Sequence, residues 1–248
     1  MDPVLIPLGY HCNVTYLLQE LGIKKETSLF EWLESKRLQY ITDVLNVIRE
    51  GIDEEIITGE DYNIKIIDQY LYTYHYKIAE YKQIFKRRAL RFLELIRGSQ
   101  EVLFVRIQTH LAEDVSLEEI NSFCSVIKKI NPSLKIGFLL INTVFRGDEL
   151  NEIDPECVNG GTLIQKYFYY EDCKKDVYLR DNPFIKSLFL KYLVEAGYRD
   201  YDRVYYTLND KEWLTTLNSK FVNFDINTFF NIEISYIGRC VFRYIYVG

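Results

Sequence analysis

Apolar positions along this chain change their period several times, and each change marks an element. Val4, Leu5, Ile6 and Leu8 form a short apolar run that reads as a strand. Val14, Leu17, Leu18 and Leu21 then recur at i, i+3, i+4 and i+7, one face of a helix opening at Cys12 or Asn13. Gly22 stands where a helix ends cheaply. Tyr40, Ile41, Val44, Leu45 and Ile48 predict a second helix ending near Gly51, and Ile78, Tyr81, Phe85, Ala89, Phe92 and Ile96 a third over 78–97. Between these two helices the pattern is ambiguous, although the alternation of Tyr70, Tyr72, Tyr74 and Tyr76 favours an extended segment. Residues 102–107 (VLFVRI) and 134–141 (LKIGFLLI) are nearly unbroken apolar runs, the pattern of strands buried on both faces. Ser116 and Glu119 make a capping box for the helix between them, and Asn131-Pro132 stops it. Strand, helix and strand form a βαβ unit, hence a parallel pair with a right-handed crossover.

Thr27 or Ser28 with Glu31 predicts another capping box of the S-x-x-E kind ahead of Trp32 and Leu33. Leu163 to Tyr170 reads as a further strand. Asn182-Pro183 opens a helix that Gly197 ends. Residues 203–248 mix short strand-like runs (203–208, 232–237, 240–247) with a helix around Trp213. The expected fold class is α/β, a mainly parallel central sheet flanked by helices, with a mixed α+β C-terminal extension. The division is a core domain over 1–175 and an extension over 176–248 packed on it.

Composition narrows the function classes. Apolar residues make up 48% of the 248, enough for a sizeable core. No run of about 18 apolar residues occurs, so no membrane span is expected, and the N-terminal stretch lacks a secretory pattern. A net charge of −6 argues against bulk nucleic-acid binding, which needs phosphate neutralisation by Lys and Arg. The five cysteines are irregularly spaced and odd in number, as suits a reducing, cytoplasmic setting. No CxxC, HxxxH, GxGxxG or GxxxxGK pattern is present, so neither a metal nor a cofactor is expected.

Cys12 is the first candidate for chemistry. At a helix N-terminus it faces unpaired backbone N–H groups and the positive end of the helix dipole. Both favour the thiolate, which is the nucleophile, and the same donors suit an oxyanion. The alternative is a small apolar residue packed at a strand–helix junction. A nucleophile needs a base. His110 follows the strand 102–107 as Cys12 follows 4–8, so a parallel sheet would bring both to its carboxyl edge. His75 lies in the tyrosine-rich segment. His11 is next to Cys12, where neighbouring side chains diverge, so contact with substrate suits it better. Asp114, Asn142 and Asp148 share the expected edge as residues that could orient the base. Arg87, Arg88 and Arg91 on the third helix, with Arg106 in its apolar strand, offer guanidinium forks for an anionic ligand. A solvated helix face is the plainer reading of the first three; Arg106 is either buried and paired or points into the site.

Leu8-Gly9-Tyr10-His11-Cys12, the amphipathic helix after it, Phe30-Glu31-Trp32-Leu33, and Phe85-Lys86-Arg87-Arg88-Ala89-Leu90-Arg91-Phe92 before the strand at 102 together resemble a bacterial and viral family labelled as papain-like cysteine peptidases. The resemblance covers about 4–141. It implies a Cys12 nucleophile, and it puts the family's His near His75, ahead of the Arg87-Arg88 helix. The family's pattern has Asp where Glu31 stands. The label also implies a helical half against an antiparallel barrel, which conflicts with the βαβ signal at 102–141.

The leading expectation is a cysteine-dependent hydrolase or peptidase-like enzyme acting on a peptide or small-molecule substrate. Its catalytic residues would be Cys12 with His75 or His110, and its substrate contacts His11, Trp32, Arg87, Arg88 and Arg106. The alternatives are a glycosyltransferase-like α/β transferase that binds an anionic or nucleotide ligand, and a non-catalytic interaction protein.

Overall fold

A computed structural model describes residues 3–68, 71–109, 113–169, 179, 182–198, 231–236 and 240–245. Four parallel strands, β1 (Val4–Pro7), β5 (Glu101–Gln108), β6 (Lys135–Val144) and β7 (Thr162–Tyr169), form the central sheet in that spatial order. β2 (Ile57–Glu60), β3 (Asn63–Ile66) and β4 (Leu71–Thr73) make a small antiparallel sheet. β8 (Asn231–Tyr236) and β9 (Cys240–Ile245) pair antiparallel. The helices are α1 (Asn13–Glu20), α2 (Leu38–Glu50), α3 (Ile78–Gly98), α4 (Leu117–Ile130) and α5 (Pro183–Glu195).

Strand pleating assigns the layers. Val102, Phe104, Ile136, Phe138 and Leu140 join the core built with α2, α3 and α4. Leu103, Val105, Ile107, Leu139 and Ile141 join the opposite core, with Val14, Leu17 and Leu18 of α1 and Ile185, Phe189 and Leu193 of α5. The result is an α/β/α sandwich whose strands are apolar on both faces, as a parallel sheet covered on both sides requires. This is the parallel α/β layout, not the helix-plus-antiparallel-barrel layout that a papain-like label implies. No helix among the described residues is long and apolar enough to cross a membrane.

The capping box at Ser116 and Glu119 is formed reciprocally. The one predicted at Ser28 is not. Ser28 N–H does donate to Glu31 Oε1 at 2.6 Å, but no helix follows. Trp32 takes φ +66°, which a right-handed helix cannot contain. Among its described residues the tyrosine-rich segment is a strand over Leu71–Thr73. The predicted Trp213 helix, the 203–208 run, Tyr70 and His110 lie outside the described residues.

Candidate functional site

β1 is the edge strand of the sheet, and the chain leaves its carboxyl end through a turn into α1. Leu8 N–H donates to Val105 O at 2.7 Å, extending the β1–β5 ladder by one residue. Gly9 allows the turn to tighten: a Cβ there would lie 2.5 Å from His11 O. Cys12 is the N-cap of α1, at φ −68° and ψ 2°. Its carbonyl accepts from Tyr16 N–H at 2.9 Å, while its side chain makes no capping hydrogen bond to the helix. The helix carries no acidic residue in its first turn, so its positive end is not offset locally. The thiol is half-buried. His11 is exposed, its ring edge-on to Tyr10 at 4.5 Å.

The turn is anchored from within by Arg106. Its alternation in β5 points it to the α2–α4 side, and it is fully buried. Arg106 Nε donates to Gln108 Oε1 at 2.7 Å, Nη1 to Ser35 Oγ at 2.9 Å and Leu8 O at 3.5 Å, and Nη2 to Ser35 O at 2.7 Å. Ser35 passes the connection on: its hydroxyl donates to Gly9 O and its N–H to Tyr10 O at 3.1 Å. Burial lowers the Arg106 pKa to about 9, against smaller opposing effects of Glu119 and Tyr10.

Between Ile23, in the α1-side core, and Leu29, in the other, the chain crosses from one face of the sheet to the other. Lys24 and Glu31 close this crossing, with Nζ and Oε2 2.6 Å apart and the carboxylate side chain fully buried. Burial raises the Glu31 pKa above its ordinary value, although Lys24, the Ser28 amide and Arg88 all pull it down. Leu29, Phe30, Glu31 and Leu33 are buried, and Trp32 alone among them is half-exposed. The Trp32 indole packs edge-on to Tyr16 of α1 at 5.0 Å and to His75 at 5.2 Å, with Lys24 Nζ 5.6 Å from its ring centre. A strained residue held by buried neighbours is a common device of functional sites. The Glu34–Tyr72 bridge ties the same segment to β4.

Trp32 and His75 are thus brought together, and Tyr16, one helical turn beyond Cys12, also packs on the indole. His75 is exposed, and partial burial lowers its pKa below the ordinary imidazole value. Cys12 and Arg106 are joined through the turn. Arg88, Arg91 and Arg106 engage different partners: Arg88 Tyr76, Arg91 Thr27, and Arg106 Ser35, Gln108 and Leu8. Arg87 is exposed on α3. Arg88 is buried, donating from Nη2 to Tyr76 Oη at 2.8 Å, while its Nη1 has no hydrogen-bond partner. Arg91 Nη2 donates to Thr27 O at 2.5 Å. Asp114 and Asn142 line a shallow groove with Glu149, Asn151, Gln165 and Tyr167 above β6 and β7. The intervening strand β5 separates that groove from the β1 turn, and Asp148 there accepts from Phe145 N–H at 2.8 Å. Among the described residues no group of three or more His, Cys, Asp or Glu is placed to hold a metal ion.

Sequence reasoning missed Ser35, Lys24, Tyr16 and Gln108. Ser35 meets Arg106 across 71 positions, and no local pattern links them. Lys24 carried no distinct signal, since it stands beside Lys25 in the polar run 24–28.

No family model matches the chain, and no solved structure matches it. An uncharacterised protein of Acanthamoeba polyphaga mimivirus is 40% identical to it over 52 residues, 21% of this chain and 22% of that protein. The chain therefore matches less than a quarter of that relative's length, and the likeness carries no activity with it.

Proposed function

We propose that the protein is a cysteine-dependent hydrolase or acyl-transfer enzyme in which Cys12 attacks the carbonyl of an amide, ester or thioester. The observation that carries this reading is the placement of Cys12 as N-cap of α1, at the carboxyl edge of the parallel sheet, on a turn pinned by buried hydrogen bonds. The amides at the start of α1 would hold the oxyanion. His75 or His110 would take the thiol proton and return it to the leaving group. Partial burial holds the His75 pKa below the ordinary imidazole value, which favours the neutral form that a base requires. Trp32 and Tyr16 would offer flat apolar surface to the acyl group.

Brief incubation with p-nitrophenyl acetate, followed by intact-protein and peptide mass spectrometry, tests this reading. The expected result is an acetyl group on Cys12, lost in Cys12→Ala and slower to form in His75→Ala or His110→Ala. Acetylation spread over lysines, unchanged in Cys12→Ala, would contradict it.

One observation favours a second reading, an α/β transferase that binds an anionic donor. Arg88 Nη1, Tyr81 Oη and Ser28 Oγ are buried with no hydrogen-bond partner. Such groups cost about 1–3 kcal/mol each unless something completes them. Thermal stabilisation by inorganic phosphate or nucleoside diphosphates, lost in Arg88→Met, would support that reading over the first.

A further inference from the structure

Arg106 stands out among the buried groups. A buried charge is ordinarily paired with an opposite one, because its desolvation is expensive. Every acceptor of Arg106 is neutral: one side-chain amide, one hydroxyl and two carbonyls. Among the described residues no carboxylate lies within ion-pair distance of it. The acidic group that it feels most, Glu119 of α4, is already engaged, accepting from Arg37 Nε at 3.3 Å, Gln39 N–H at 3.2 Å and Ser116 N–H at 3.2 Å. The other charged or titratable group acting on Arg106 is Tyr10, in the turn itself.

We propose that Arg106 is a positioning residue for Cys12, its guanidinium fixing the turn that presents the thiol and lending that turn a buried positive charge. This rests on Cys12 being the nucleophile.

The geometry gives two routes. The first is orientation. The carbonyls of Leu8, Gly9 and Tyr10 are all engaged on the Arg106–Ser35 side, the first directly and the other two through Ser35. Each peptide unit is planar and trans, so its N–H points opposite to its C=O. The amides of Gly9, Tyr10 and His11 therefore point away from Arg106, and the chain enters α1 in one fixed direction. The second route is electrostatic. A cation in a low-dielectric setting that lacks an anionic partner favours the appearance of negative charge nearby, whether a thiolate or an oxyanion.

The test is the pH dependence of Cys12 carboxamidomethylation by iodoacetamide in the wild type, Arg106→Met, Arg106→Lys and Ser35→Ala, with circular dichroism as the control for folding. The wild-type midpoint is expected below the free-thiol value of about 8.5. Arg106→Met should raise it by about one unit, so that the rate at pH 7 falls roughly tenfold. Arg106→Lys, which keeps a charge but loses the fork, should restore part of the shift. Ser35→Ala keeps the charge and frees Gly9 O, and should raise the midpoint by less than Arg106→Met. If Arg106→Met does not fold, Ser35→Ala and Arg106→Lys decide. A low wild-type midpoint left unchanged in all the folded variants would overturn the role of Arg106 and leave Cys12 as nucleophile. An ordinary midpoint in the wild type would overturn both.

Discussion

The indole of Trp32 meets the imidazole of His75 edge to face, their ring centres 5.2 Å apart, and its backbone holds φ +66° to make that contact. Partial burial lowers the His75 pKa, so the unfolded chain binds this proton more readily than the folded one. The contribution of His75 to stability is complete above the unfolded pKa of about 6.5 and is lost as pH falls through the folded value. Trp32→Ala should re-solvate the imidazole and bring its midpoint, followed by NMR, back towards about 6.5. Trp32→Gly loses the same contacts without the left-handed strain. It should be more stable than Trp32→Ala by about 1 kcal/mol in urea unfolding. A His75 midpoint indifferent to Trp32 would contradict the packing.

The Lys24–Glu31 pair predicts an asymmetry between its partners. Glu31 is fully buried at its side chain, and Lys24 keeps 11% exposure. Lys24→Ala leaves a carboxylate in the interior and should cost about 3 kcal/mol or more. Glu31→Gln keeps an acceptor for Ser28 N–H and leaves Lys24 near Thr27 Oγ1 and the Trp32 face, so it should cost less. Burial raises the Glu31 pKa, so its carboxyl favours the fold most when protonated, below the unfolded pKa. That contribution is lost as pH rises through the folded value. Lys24→Ala should therefore be least harmful at low pH, which urea midpoints at several pH values will show. Equal costs for the two single variants at pH 7 would contradict this.

Gly9 has no room for a side chain. The nearest atom to an added Cβ is a backbone oxygen, His11 O at 2.5 Å, which cannot step aside as a flexible side chain would. Gly9→Ala should cost about 1–3 kcal/mol and displace the Cys12 turn. Gly51→Ala, with nothing within 4 Å of its Cβ and an extended φ, is the control and should be near neutral. Differential hydrogen exchange at residues 9–14 and 34–36 will show whether the damage is confined to the turn and its Ser35 clamp.

Much of the fold was legible because the parallel strands write themselves plainly. β5 and β6 are buried on both faces, so their apolar runs are unbroken apart from Arg106 and Lys135. The capping box of α4 was legible for the same local reason. The identical spacing at Ser28 misled, because Glu31 turns inward to Lys24 and Trp32 leaves right-handed space. The small β2–β3–β4 sheet was not legible, since its strands are three or four residues long and partly polar. Arg106 announced itself as a charge in an apolar strand. Its partners did not, because Ser35 and the Leu8 carbonyl belong to segments joined only by the tertiary fold.

The most direct measurement is the pH profile of iodoacetamide reaction at Cys12 in the folded wild-type protein, read against its other thiols. Burial pushes the Cys124 thiol up to about 11, and Asp154 raises that of Cys157, so both should stay slow at pH 7. Cys12 should react selectively, with a midpoint below about 8.5. A Cys12 that reacts only on unfolding, or titrates like a free thiol, would contradict its role as the nucleophile.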